Sequence, residues 1–243
     1  RIGWWGHIMV VFAFMNYLPI SKHFHIFMAF PNVYFSRLQP AGELDAPSNI
    51  KEEIKAIMDP SYQPVEDPNA PLRFGAKDIT DLTRKSLMDA YTCTECGRCS
   101  SVCPANLTGK KLSPRKIVMD VRDRMEEAQK FKLTRDESGA LVPGNGVEGA
   151  EEAAQHTLLG HYVSEEELRA CTTCQACVEA CPVNINPVDI IVELRRHLVM
   201  EESSMPEAWG IMFNNTENAA NPWGMPAASR GEWTQSVDEK TTA

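Results

Sequence analysis

Two stretches decide how this chain folds: Cys93-Thr94-Glu95-Cys96-Gly97-Arg98-Cys99-Ser100-Ser101-Val102-Cys103-Pro104 and Cys171-Thr172-Thr173-Cys174-Gln175-Ala176-Cys177-Val178-Glu179-Ala180-Cys181-Pro182. Both read C-x2-C-x2-C-x3-C-P, and together they use all 8 cysteines of the 243-residue chain. Three thiols separated by two residues each can wrap a tight loop around one centre. The fourth lies farther along, and the proline behind it turns the backbone away.

This is the spacing of bacterial ferredoxins, whose thiolates hold cubane [4Fe-4S] clusters and whose fourth cysteine serves the other cluster. The expected ligand sets are therefore crossed. Cys93, Cys96, Cys99 and Cys181 hold cluster 1, and Cys171, Cys174, Cys177 and Cys103 hold cluster 2. Structural zinc prefers two C-x2-4-C pairs per ion and leaves the third cysteine and the trailing Cys-Pro of each phrase unexplained. Disulfides need an oxidising compartment and a geometry that clustered C-x2-C repeats rarely offer.

The chain has a net charge of −9, unevenly spread. Residues 1–40 carry Arg1, Lys22 and Arg37 and no acid, which leaves 21 basic and 33 acidic side chains elsewhere. Such a surface argues against a nucleic-acid partner, which needs a basic face. Thiols destined for iron point to a reducing compartment. The chain opens on Arg1 and runs straight into apolar sequence, so residue 1 reads as a cut inside a longer polypeptide.

From Ile2 to Ile20 the only acidic, basic or imidazole side chain is His7. These 19 residues predict one transmembrane helix, with Trp4, Trp5 and Tyr17 at interfaces and Lys22 and Arg37 on the cytoplasmic side. Pro19 reads as a kink that neighbouring helices would compensate. His7 and His25 lie 18 residues apart, five whole turns of one continuous helix, so both fall on one face. Imidazole is an axial haem ligand, and an ionisable group in a membrane helix is a functional candidate. His7 and His25 are accordingly the candidate ligands of haem b.

His7 and Asn16-Tyr17-Leu18-Pro19-Ile20-Ser21-Lys22-His23-Phe24-His25 resemble the last membrane helix of the nitrate-reductase gamma-like cytochrome b family. More specifically, the chain resembles iron–sulfur oxidoreductases related to heterodisulfide reductase and to electron-transfer-flavoprotein:quinone oxidoreductases, in which this helix is fused to a two-cluster ferredoxin domain. The resemblance implies upstream membrane helices and a downstream CCG-type domain. No Cys-Cys pair and no cysteine after Cys181 occurs here. It also implies an electron-transfer flavoprotein as donor, a CCG-bearing iron–sulfur subunit as neighbour and the quinone pool as acceptor.

Residues 38–77 read as a connector containing Pro40, Pro47, Pro60, Pro64, Pro68 and Pro71, with one short helix from about Ile50 to Met58 capped by Ser48 or Asn49. Asp78 opens a helix that carries Ile79, Leu82, Leu87 and Met88 into the first cysteine loop. Ser113-Pro114, Ser164 with Glu167, and Asn186-Pro187 are helix starts. Gly144-Asn145-Gly146-Val147-Glu148-Gly149 spells G-x-G-x-x-G without the βαβ unit that a nucleotide fingerprint needs, and reads as a loop. Arg195, Arg196 and His197 stand late on the last core helix, where cations complement the dipole, with guidance of a quinone or an acidic partner as the alternative. Arg98 in the first loop reads equally as a charge that raises its cluster's potential or as a solvent contact.

The expected fold is all-α: a transmembrane helix in residues 1–37, the connector 38–77, an α-helical ferredoxin domain over 78–204 and a C-terminal tail at 205–243 that either docks a separate subunit or wraps its own domain. The ferredoxin part is similar to that of succinate dehydrogenase iron–sulfur subunits. The expected location is the cytoplasmic membrane, with the ferredoxin domain on the cytoplasmic side. The expected function is electron relay between a soluble flavoprotein-type donor and quinone through two [4Fe-4S] clusters and haem b. Two alternatives stand beside it: an iron–sulfur subunit like those of glycerol-3-phosphate or lactate dehydrogenases with only an anchor, and an interaction module in which the clusters are structural. No acid–base or nucleophilic constellation is visible.

Overall fold

The computed structural model describes residues 1–21, 23–40, 42–44, 46–63, 74–136, 138–144 and 146–236, without the side chains of 48 and 49. The expectations on Lys22, Pro64, Pro68, Pro71, Asn145 and the Ser48 or Asn49 caps lie outside the described residues. Twelve α-helices occur among the described residues: α1 (Ile2–Tyr17), α2 (Phe24–Tyr34), α3 (Ser48–Met58), α4 (Arg84–Thr92), α5 (Arg98–Ser101), α6 (Pro104–Leu107), α7 (Pro114–Lys130), α8 (Ala150–Gln155), α9 (Glu165–Ala170), α10 (Ala176–Glu179), α11 (Pro187–Arg196) and α12 (Glu207–Ala219). A two-residue antiparallel hairpin, β1 (Thr134–Arg135) with β2 (Leu141–Val142), is a small addition to the expected helical fold. The chain divides into two units, Arg1–Glu201 and Glu202–Ala243.

The membrane expectation is overturned. α1 stops at 16 residues, about 24 Å at 1.5 Å per residue, short of the roughly 30 Å hydrocarbon core. Pro19 falls in a 3-10 turn (Leu18–Ile20), Ser21 is extended, and its Oγ donates to the Leu18 carbonyl and accepts the His23 N–H. The turn consumes the hydrogen bonds that a continuing helix would need. No described helix is long and apolar enough to cross a membrane, so neither the transmembrane helix nor the cytoplasmic-membrane location is supported.

Beyond the break, α2 packs on α4 instead of prolonging a stalk. Asn32 is fully buried, and its amide donates to the Val183 carbonyl at 2.9 Å. Thr92 Oγ1 donates to the Met28 carbonyl at 3.3 Å, and Phe24 meets Tyr91 edge to face.

The core is built by α4, α7, α9 and α11, and each begins on a side-chain cap. Thr83 Oγ1 accepts the Ser86 N–H, Ser113 Oγ that of Lys116, Ser164 forms a reciprocal box with Glu167, and Asn186 Oδ1 accepts from Val188 and Asp189. The helix expected from Asp78 is broken in two: Asp78 caps a 3-10 turn (Ile79–Asp81), and Thr83 in extended backbone starts α4. On α7, Ile117, Val118 and Val121 are buried, and on α11 Ile190, Ile191 and Leu194 join them in the same core. Burying each such side chain contributes roughly 1.5–3 kcal/mol.

One buried charge group crosses this core. Arg124 is wholly buried. It donates to Asp78 at 2.8 Å, to Glu127 at 2.6 Å and to the Ala153 carbonyl at 2.9 Å. Asp78 also accepts the Leu158 N–H, so one carboxylate joins the turn before α4, helix α7 and the chain after α8. Gly144 of the glycine-rich stretch lies against the hairpin: a Cβ there would fall 2.2 Å from the Lys132 carbonyl oxygen. Its glycine is explained by packing.

Candidate metal centre

α4 delivers Cys93 and α9 delivers Cys171, each with its N–H bonded to the end of its helix, at Asp89 and Leu168 respectively. The two loops then take the same backbone path. The third residue of each phrase is left-handed, at φ 57° for Glu95 and 54° for Thr173. So is the fifth, at φ 77° for Gly97 and 63° for Gln175. Each loop closes into a one-turn helix, α5 or α10, shortly before the fourth cysteine.

These loops surround two cavities. The first is lined by Cys93, Cys96, Cys99, Cys177 and Cys181. The second is lined by Cys103, Cys171, Cys174 and Cys177. Val118 of α7 lines the first, and Val188 and Ile191 of α11 line the second, so the core helices fix both. Cys93, Cys103 and Cys177 are buried, whereas Cys96 and Cys174 reach the surface.

Burial pushes the Cys93, Cys99 and Cys171 thiols up, and Cys177 up to about 12. Cys96 moves the other way, held down first by the Arg98 backbone N–H. Metal ligation needs thiolates, so filling these cavities releases protons. Backbone N–H groups already point at sulfur, from Thr173 to Cys171 and from Ile185 to Cys181, both at 3.4 Å. Such bonds stabilise thiolate and tune cluster potential. The donor set, five sulfurs around the first cavity and four around the second with Cys177 common to both, fits a pair of iron–sulfur clusters. Among the described residues no three His, Cys, Asp or Glu side chains close on one point as ligands of a single metal ion.

The other expected site residues lie elsewhere. His7 is exposed on α1 and His25 is half-buried on α2. The break between Tyr17 and Phe24 removes the continuous five-turn relationship between them. Arg98 is exposed and lines the first cavity. Arg195 serves a helix other than its own: it donates to the Leu168 and Cys171 carbonyls at the end of α9. Arg196 pairs with Glu193. Sequence reasoning missed Arg115, which lines the first cavity, and Asn32, which grips the chain after Cys181.

Two matched cysteine loops on a helical core, each opening on a thiol-lined cavity, define an iron–sulfur domain. Residues 92–185 match the family model described as the 4Fe-4S dicluster domain. The chain is related to iron–sulfur oxidoreductases. It is 34% identical to the probable iron-sulfur-binding oxidoreductase FadF of Bacillus subtilis over 96% of its length and 33% of that protein's. It is 33% identical to the EtfAB:quinone oxidoreductase of Syntrophomonas wolfei over 99% of its length and 31% of that protein's. A component of the ferredoxin/F(420)H(2)-dependent CoB-CoM heterodisulfide reductase of Methanosarcina acetivorans is 29% identical over 54% of this chain and 60% of its own. The chain thus spans about a third of the length of the first two relatives. No solved structure matches it.

Proposed function

We propose that this chain is the electron-relay segment of an oxidoreductase that moves electrons between an electron-transfer-flavoprotein-type donor and quinone. Cys93, Cys96, Cys99 and Cys181 hold one [4Fe-4S] cluster, and Cys103, Cys171, Cys174 and Cys177 hold the other. The observation that carries this reading is the exchange of fourth cysteines: Cys181 shares a cavity with the first loop, and Cys103 shares one with the second. Cys177 borders both cavities, which supports two centres close enough to exchange an electron.

The clusters supply reversible one-electron transfer. The protein residues hold the thiolates, donate N–H bonds to sulfur and keep water from the inner sulfurs with Val118, Val188 and Ile191. The donor and acceptor are inferred from the names of the relatives and from the family resemblance, as is a CCG-bearing iron–sulfur neighbour. Haem b belongs to the same finer reading, with His7 on α1 and His25 on α2 as its imidazole candidates. Reduced-minus-oxidised spectra of the full-length protein test that part.

The ligand sets are tested by anaerobic purification with iron and sulfide analysis. About eight irons and eight sulfides per chain are expected. Cys181→Ser should disturb the cluster of the first loop and leave the signal of the second, and Cys103→Ser should do the reverse. A colourless or zinc-loaded protein overturns the proposal.

A further inference from the structure

We infer that the face around Cys96 is a docking surface for an acidic redox protein, so that the first cluster is the one exchanging electrons with that partner. The inference rests on the ligand sets proposed above. From Arg98 to Lys116 the chain holds five cations, Arg98, Lys110, Lys111, Arg115 and Lys116, and no acid, in a protein of net charge −9. The second loop differs in sign: Glu165, Glu166, Glu167 and Glu179 flank it, with Arg169 the one cation from 165 to 179.

The structure sorts these five cations. Lys116 is held by Asp120 and Glu167, and Lys111 lies 3.4 Å from Glu166. Arg98, Lys110 and Arg115 are exposed and make no ion pair among the described residues. Two of these three line the first cavity. Arg98 follows Gly97 in the loop itself. Arg115 is brought there because Ser100 Oγ bonds Ser113 Oγ at 2.8 Å and accepts the Arg115 N–H at 3.4 Å. The start of α7 is thereby fastened to the first cysteine loop. Cys96 reaches the surface at the same cavity, so the sulfur nearest a docked protein sits beside positive charge.

An uncompensated cationic collar around an exposed redox centre steers anionic partners and repels cationic ones, and its effect fades with ionic strength. Elsewhere the acidic surface works against an acidic partner, which confines productive encounter to this face. The partner favoured is therefore a protein with a carboxylate-rich patch around its own redox group.

Two measurements on the holo-protein test this. In the first, the reduced protein is mixed with tris(oxalato)cobaltate(III), an anion, or hexaamminecobalt(III), a cation. Each takes one electron from a reduced cluster and becomes cobalt(II). Arg98→Glu with Arg115→Glu should slow the anion severalfold, speed the cation and flatten the salt dependence of both. In the second, fluorescence anisotropy of labelled polyglutamate should report salt-sensitive binding that the double variant loses and that Arg98→Lys with Arg115→Lys retains. Equal rates and equal polyglutamate binding in wild type and the Glu variant overturn the inference. Iron content and cluster EPR signals separate this outcome from failure of the ligand sets, because loss of clusters in wild type indicts the latter.

Discussion

Asn32 on α2 donates its amide to the carbonyl of Val183, two residues beyond Cys181, across 2.9 Å. The same side chain accepts from Lys85 Nζ at 3.0 Å, and Lys85 holds Asp89 on the next turn of α4 at 2.5 Å. Asp89 in turn accepts the Asn186 N–H. The segment that carries Cys181 back to the first loop is thus gripped by a polar chain from α2 and α4. Asn32→Ala would leave the Val183 carbonyl and the half-buried Lys85 ammonium each short of a partner, at a cost of about 1–3 kcal/mol. We expect a lower unfolding midpoint and faster chelator extraction of iron from the first cluster than from the second. Equal extraction of both would deny Asn32 this specific role.

The Asp78–Arg124 pair is predicted to be the most fragile contact of the core. Removing one partner of a buried ion pair costs about 3–5 kcal/mol, because the other charge stays buried. Arg124→Met leaves Asp78 without its cation while Glu127 keeps His156 and Tyr162, and Asp78→Leu leaves the enclosed guanidinium with only Glu127 among its described carboxylates. Joining the two substitutions should recover much of the loss. A double-mutant cycle in denaturant checks this, and simple additivity would show that the two residues act independently.

Much of this architecture is legible in the sequence, and the exceptions share a cause. Cysteine spacing and caps such as Ser164 with Glu167 are local, with partners three or four residues away. Pro19 reads in sequence as a tolerable kink inside a continuous apolar helix. In the structure Ser21 competes for the Leu18 carbonyl and ends the helix there. Asn32 gives no signal in the sequence because its partner lies 151 positions away. Arg195 reads as a dipole cation of α11, whereas its acceptors belong to the end of α9. Hydrophobicity and propensity carry no record of such long-range polar partners.

Asp120 should give the fold a measurable pH dependence. Burial pushes its carboxyl up to about 6, against the pull of Lys116 at 2.7 Å. The folded pKa lies above the unfolded value, so this group favours folding fully below about 3.9. That contribution is lost as pH rises through about 6. Asp120→Asn should therefore gain relative to wild type between about pH 4 and about pH 6 and level off above that, by on the order of 1–3 kcal/mol. Glu127 and Glu167 are both shifted down and work in the opposite direction, so the difference between the two proteins is the quantity to follow. Thermal unfolding of both proteins under anaerobic conditions across this range tests the sign.

The two loops permit a reciprocal experiment at their fifth positions. Gly97 and Gln175 have the same left-handed backbone, which suits glycine and costs another L-residue about 1–2 kcal/mol. A Cβ at Gly97 would meet nothing within 4 Å, so Gly97→Ala suffers from backbone conformation alone. Part of that loss is returned by the smaller entropy of the unfolded chain, leaving about 0.5–1 kcal/mol. Gln175→Gly should be neutral or gain up to about 1 kcal/mol. Measured as rates of iron release, the first substitution should weaken the Cys93 loop and the second should hold or strengthen the Cys171 loop. Equal and large losses from both would mean that Gln175 makes a contact its backbone does not reveal.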